Sequence, residues 1–405
     1  MDSHLFSVFL NPKTKRLNYY SKAHTAFVFY KEFKINLNSG EKTKSTVEEI
    51  VQLLANYTVS DKIDGGIVWH LFYEFGLNCV EHLELIPEHK PLAIYLVYEE
   101  KKELNEDLFD LENLNTLKLE VTEYPQAKKY NEQFSKIYQH LIDGDCYQVN
   151  LTHPFYFKFS PIIQVNDFFK PIIENKKLLG DYFHLTYIDS LAKLFISNSP
   201  ECLFEVENEN KVFKVISKPI KGTIKLDSHK SESETWKELS ASKKDQGELF
   251  MIADLIRNDL TKIEFSKATI THKKCPLVVL GLMHQYSKIE TKVSKKTNLA
   301  QIILALFPGG SITGAPKKRV MEIIKSVEGY HRGFYCGSTL LLDDEVKKGS
   351  INIRSAEVDF TQMELFYGAG GAITLLSNEK DEFDETYSKM ESFLQFLKVE
   401  NINKG

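Results

Sequence analysis

Three features of the chain predict an α+β protein: β-like runs fill its first half, long helical patterns fill its second, and strict βαβ alternation is missing. The runs "AFVFY", "GGIVWHLFYEF" and "PLAIYLVYE" come first, broken by charged stretches such as "EEKKELNEDLFDLE". From about residue 123 the texture changes. A helix is expected over "QAKKYNEQFSKIYQHLIDG", ending at Gly144. Strands follow in "YQVNLTHPFYFKF", "YFHLTYID", "KLFISNS" and "KVFKVISKPIKGTIKL". Residues 232–260, apolar nearly all round at "LFMIADLIRNDL", read as a helix buried on most sides. In the last helix Phe383, Tyr387, Met390, Leu394 and Leu397 form one stripe, which leaves Glu382, Glu385 and Lys389 together beside it.

Composition narrows the function. The chain has 405 residues, 51 Lys and Arg against 56 Asp and Glu, and a formal charge of −5. That balance lacks the basic footprint that nucleic acid or an anionic membrane attracts, so small molecules or proteins are the expected partners. No apolar run is long enough for a membrane span, and the N-terminal residues lack signal-peptide character. Five scattered cysteines, an odd number without metal-ligand spacing, point to reduced thiols in a cytoplasmic protein.

Several stretches carry possible chemistry. "FPGGSITGAPKKRVMEIIKSV" runs a glycine-rich loop into an amphipathic helix whose start could face an anion. Ala315 and Pro316 stand where a Walker loop needs Lys and Ser or Thr, so a plain turn before a helix fits as well. In "FYGAGGAITLL", Gly368, Gly370 and Gly371 after a strand would admit a ligand carboxylate to backbone N–H groups, or simply pack two strands closely. Glu248 at the entrance to the buried helix is costly unless paired or bound to metal. Glu382 and Glu385 could join it in an oxygen-only Mg²⁺ site. An ordinary Glu385–Lys389 surface pair is the plainer reading.

Lys221, in "SKPIKGTIKLD", is either a solvated lysine or a nucleophile. With a reference pKa near 10.4, only about one lysine in a few thousand is neutral at pH 7, so a nucleophile needs a partly buried or cation-rich pocket. Glu201 in "SNSPECLFEV" reads as a turn residue or a proton carrier, and His284 in "GLMHQYSKIE" as a satisfied strand histidine or a proton relay.

Taken together and in order, "GDCYQVNL", "SPE", "PIKGT", "ELFMIADLIRNDL", "FPGGSITGAPK", "INIRSAE", "GAGGAI" and "EFDETYSK" resemble the chorismate-utilising enzymes, the family of anthranilate synthase and aminodeoxychorismate synthase large components. The resemblance spans about residues 123–400. It implies large antiparallel β-sheets flanked by helices with a central active-site cleft, a β-rich region at 1–122 integrated with the core, and a catalytic region at 123–405. It also implies Mg²⁺ on Glu248 and Glu385, with Glu382 adjacent, and chorismate contacts from Gly222, Thr223, Arg354, Lys389 and the backbone of Gly370, Gly371 and Ala372. Arg354 suits a carboxylate because its planar fork reaches both oxygens. Anthranilate synthases typically read Pro-Ile-Ala-Gly-Thr where this chain has "PIKGT", the form carried by aminodeoxychorismate synthases. The resemblance therefore implies Lys221 as nucleophile, Glu201 and His284 in proton transfer, and ammonia from a separate glutamine amidotransferase subunit, since no glutaminase Cys/His arrangement is visible here. Two departures stand out. "CGSTLLL" puts Leu340 and Leu341 where the family has an aromatic near the enolpyruvyl group, and Ala372 replaces a usual glycine. Anthranilate synthase, and a non-catalytic chorismate-binding protein, are the competing readings.

Overall fold

In the computed structural model, which describes residues 4–80, 86–106, 109–226, 230–264, 267–279 and 282–399, the strands join edge to edge into one antiparallel network. It starts at Gln148–Lys158 and passes through Glu364–Ile373, Ser355–Asp359, Lys193–Ser197 and His184–Ile188. N-terminal strands carry it onward: Leu5–Leu10, Leu17–Phe29, Ala93–Glu103 and Gly66–Leu71. Ser338–Leu342, Lys347–Ile351, Cys202–Glu209, Val212–Lys218 and Leu282–Val293 complete the path. Hydrogen bonding thus crosses residue 123 more than once: Leu5–Leu10 pairs with His184–Ile188, and Gly66–Leu71 with Ser338–Leu342. The α+β architecture expected from the sequence is the one observed.

Helices form where periodicity and caps agree. Ala127–Ile142 buries Tyr130, Phe134, Ile137 and Leu141 at helical spacing and ends before Gly144, which takes φ +78°. The stretch 232–260, expected as a single buried helix, is two helices, Glu232–Ala241 and Lys243–Thr261, with the apolar "LFMIADLIRNDL" wholly in the second. Ser242 separates them because its backbone is extended and its side chain accepts from Asp245 N, capping the second helix. That second helix is not buried on most sides. Leu249, Ile252, Ala253, Ile256 and Leu260 face the interior, whereas Phe250 is 42% exposed. Ile252, Ile256 and Leu260 join the main core with Trp69, Phe204, Ile302, Ile303 and Leu340, each such side chain contributing roughly 1.5–3 kcal/mol. Their burial fixes the outer turns that carry the polar residues.

The last helix, Glu379–Phe396, starts at Asn378, whose side chain accepts from Lys380 N and Asp381 N, and three acids in its first turn complement the helix dipole. Its expected stripe is split. Met390, Phe393, Leu394 and Phe396 are buried, while Phe383 and Tyr387 pack edge-on against Tyr130 and Phe155. Glu382 does not lie beside the stripe; it is buried on the inner face.

All five cysteines are free thiols, as expected, and no helix among the described residues is long and apolar enough to cross a membrane. Burial pushes His184 down to about 3 and His153 down to about 4. An unfolded histidine titrates near 6.5, so between these values the unfolded chain binds the proton and the folded chain does not. Stability therefore falls as pH drops below about 6.5, by about 2 kcal/mol for each of these histidines at pH 5. Urea midpoints at pH 7 and pH 5 should show the loss, and His184→Gln should reduce it.

Candidate active site

The two ends of the strand network face a single cleft of about 880 Å³, lined by Ile220–Thr223 at one end and Gly368–Ala372 at the other. Every residue given a catalytic, substrate or metal role in the sequence borders it: Lys221, Glu201, His284, Gly222, Thr223, Arg354, Gly370, Gly371, Ala372, Lys389, Glu248, Glu382 and Glu385. Folding unites residues up to 188 positions apart.

Local backbone chemistry aims the first group. Strand Ile220–Lys225 continues Val212–Lys218 past Pro219, and its register against Leu282–Val293 shifts between Lys221 and Thr223. The inserted residue is Gly222 at φ +77°, a left-handed conformation that glycine adopts without strain; a Cβ there would also meet Asp245 Cβ at 2.9 Å. Half-buried Lys221 pairs across the ladder with Gln285, and Thr223 with His284. Thr223 Oγ1 and His284 Nδ1 are hydrogen-bonded at 2.9 Å. Burial, helped by Arg354, pushes His284 down to about 4, so the ring is neutral at pH 7.

Glu201 sits in the irregular segment before strand Cys202–Glu209, where its N–H donates to Ser199 Oγ at 3.1 Å and its C=O accepts from Ile351 N at 3.1 Å. Its side chain is buried and one carboxyl oxygen has no hydrogen-bond partner. Burial holds the carboxyl above its usual range despite nearby Ser311 and Lys221. Arg354 has φ +52°, an uncommon conformation for a side-chain-bearing residue, and donates from Nη1 to Ser392 Oγ at 3.1 Å. The strained backbone carries a cation into the cleft.

The glycines lie on strand Glu364–Ile373, not after it, and the packing and ligand readings divide between them. A Cβ on Gly370 would meet Leu151 O at 2.0 Å and one on Gly368 the Tyr335 ring at 2.1 Å, so close packing excludes side chains at both. At Gly371 the nearest atoms are Glu382 Oε2 at 3.1 Å and Lys389 Nζ at 3.9 Å, so its missing side chain opens the cleft. Gly370→Ala is expected to destabilise the protein by about 3 kcal/mol, whereas Gly371→Ala should fold normally. Thermal melts of the two variants distinguish them.

Three carboxylates form the opposite wall. Glu248 lies in the second turn of Lys243–Thr261, inside the helix and not at its entrance, and burial raises its carboxyl although Lys221 and Lys244 oppose the shift. Glu382 Oε1 accepts from Lys244 Nζ at 3.1 Å. Glu385 Oε1 pairs with Lys389 Nζ at 2.7 Å, and the Lys389 ammonium holds the Glu385 carboxyl below its usual range. Lys389 also donates to Gly370 O at 2.7 Å. Two of the three carboxylates are thus held by lysines, and among the described residues no three His, Cys, Asp or Glu side chains already converge as a metal cage.

Elsewhere the sequence misled or fell short. Leu340 and Leu341 are buried and pair with Trp69 and Val68, away from the cleft, because strand Ser338–Leu342 runs through the core. In "FPGGSITGAPK", Gly309 and Gly310 pack against Ile351 and Leu255, and only Ser311 and Ile312 reach the cleft. Helix Lys317–Glu328 begins with Lys317 donating to Asp259 Oδ2 at 2.8 Å and Leu306 O at 3.2 Å, a tie to the "RNDL" end of its neighbour and not an anion site. Tyr335, Asn150 and Lys244 line the cleft without having been anticipated. Lys244 was within reach: it lies four residues before Glu248, on the same helical face.

A family model described as chorismate binding enzyme matches residues 42–395. The chain belongs to that family. Among curated proteins it is 33% identical over 275 residues to aminodeoxychorismate synthase component 1 of Salmonella typhimurium, covering 66% of this chain and 57% of that protein. It is 31% identical over 281 residues to the protein of the same name from Escherichia coli, covering 67% and 58%. The match therefore spans little more than half the length of these relatives. Among solved structures, anthranilate synthase component I from Streptococcus pneumoniae superposes with a TM-score of 0.72 at 18% identity, over 97% of this chain and 92% of that one. Fold and family thus agree with the resemblance carried by the motifs.

Proposed function

We propose that this chorismate binding enzyme aminates chorismate at C4, giving 4-amino-4-deoxychorismate, with ammonia supplied by a separate glutamine amidotransferase subunit. The observation that carries this reading is Lys221, borne on a glycine bulge into the same cleft as a buried carboxyl, Glu201, and a cation, Arg354.

The cleft is lined by six carboxylates (Glu201, Asp245, Glu248, Glu382, Glu385 and Glu391) against four cations (Lys221, Lys244, Arg354 and Lys389), a formal excess of two negative charges. A dianionic substrate needs that excess countered. Glu248, Glu382 and Glu385 supply the oxygen donors a hard divalent cation takes, so the donor set fits Mg²⁺. Bound there, Mg²⁺ would supply a positive anchor for the ring carboxylate of chorismate.

The remaining chemistry belongs to side chains. Lys221, a cation at rest, gives a proton to the Glu201 carboxylate, and its freed amine attacks C2; the C1=C2 and C5=C6 double bonds shift to C6=C1 and C5=C4; the C4–O bond breaks. Glu201, whose burial makes its carboxylate readier to take that proton, passes it to the departing hydroxyl, so water leaves. Ammonia then forms the C4–N bond, the double bonds return, and the C2–N bond to Lys221 breaks. Neutral His284, fixed by Thr223, adds no charge beside the lysine and can relay a proton from the incoming nitrogen. Arg354 and Lys389 are the candidate partners for the second carboxylate.

Product analysis tests the reading. With chorismate, Mg²⁺ and ammonium, the purified chain should form a product that an added aminodeoxychorismate lyase converts to p-aminobenzoate. Fluorescent anthranilate without lyase would assign the cleft to anthranilate synthesis, and saturable chorismate binding without turnover would make it a non-catalytic binder.

A further inference from the structure

We propose that Lys244 is a built-in counter-cation of the cleft: its ammonium occupies the Glu382 carboxylate until a divalent cation displaces it, and so limits how tightly the substrate-free protein binds metal. The inference rests on reading Glu248, Glu382 and Glu385 as metal ligands.

The two partners are held very differently. Glu382 is 4% exposed at its side chain, on the inner face of Glu379–Phe396, with Oε2 against the bare Gly371 backbone. Lys244 is 40% exposed and reaches in from the first turn of Lys243–Thr261. The carboxylate is the fixed partner and the lysine the movable one. Lys244 and Glu248 are one turn apart on the same helical face, so the ammonium lies among the carboxylates that a cation would gather. Lys389 differs, since besides Glu385 it bonds Gly370 O at 2.7 Å, an acceptor it keeps if the carboxylate is taken. Among the described residues Glu382 is the only hydrogen-bond acceptor of Lys244, so this lysine is the one that yields.

An ammonium is a single charge with three donors, whereas a hard divalent ion carries two charges and takes one or two carboxylates besides its waters. Both cannot occupy Glu382 without like-charge repulsion at close range. Metal binding is therefore an exchange, and deleting the lysine removes the competitor.

Mn²⁺, used in place of Mg²⁺ because its free and bound forms differ by electron paramagnetic resonance, is titrated into wild type, Lys244→Met, Lys244→Gln and Lys244→Arg without substrate. Circular dichroism confirms folding of each. Lys244→Met and Lys244→Gln should bind Mn²⁺ about three- to tenfold more tightly than wild type, and Lys244→Arg no more tightly than wild type. The rise in melting temperature on adding Mn²⁺ should also be larger in the two neutral variants. Saturable Mn²⁺ binding that is equal or weaker in both neutral variants would overturn the role of Lys244 and leave the metal reading standing. No saturable binding by wild type or either neutral variant would overturn both.

Discussion

Lys221→Ala is expected to lose C4 amination by on the order of 10³-fold while keeping its fold and its affinity for chorismate. The lysine stands on strand Ile220–Lys225, whereas the carboxylates and Arg354 stand on other elements, so removing it leaves the substrate's charge contacts in place. Excess ammonium should rescue the variant only weakly, because the missing step precedes ammonia's attack. Lys221→Arg separates charge from nucleophilicity. Arginine keeps the positive charge beside Glu201, Glu248 and Glu385 but cannot attack near neutral pH. Near wild-type turnover in Lys221→Arg would remove the covalent step and leave the lysine as a charge-balancing group.

The second large effect is expected at Glu248. Glu248→Gln removes a hard-cation donor but keeps the shape of a residue anchored by Leu249 and Ile252, so the fold should survive while metal-dependent turnover falls about 100-fold. The change also removes one carboxylate from a crowded group: Glu382 and Asp245 raise the Glu248 carboxyl further after burial has raised it. The metal-free variant should therefore melt at the wild-type temperature or slightly above. Steady-state rates against Mg²⁺ concentration, with melts in chelator, check both parts. Full activity in Glu248→Gln, or wild-type activity undiminished by chelator, would remove the metal from the mechanism.

The sequence made the cleft legible because its chemistry is concentrated in short motifs whose order is preserved along the chain. Taken one by one, Lys221, Glu201, His284 and the three carboxylates each have a plain structural reading, and only the motifs in their order, through the family resemblance, join them as a site. Geometry had to supply the rest. Nothing in "GAGGAI" separates Gly370, excluded from a side chain by Leu151 O, from Gly371, which opens the cleft, because both are glycines on one strand. Leu340 and Leu341 looked like a site departure because motif position says nothing of which sheet layer a strand occupies. Ser242 ends one helix and caps another within the polar stretch "ELSASKKDQGE", ahead of the apolar segment on which the single-helix reading rests. Lys244 stands one helical turn before Glu248, yet a lysine near a helix start reads first as solvated surface.

Trapping Lys221 in the act tests the central claim most directly. Wild-type protein incubated with chorismate and Mg²⁺, ammonium withheld, is quenched in acid and digested, and the peptide containing Lys221 is weighed by mass spectrometry. The account predicts a mass increase on that peptide equal to chorismate less one water, absent in Lys221→Arg and discharged when ammonium is added before the quench. An unmodified Lys221 peptide, from protein that forms 4-amino-4-deoxychorismate once ammonium is supplied, would contradict it.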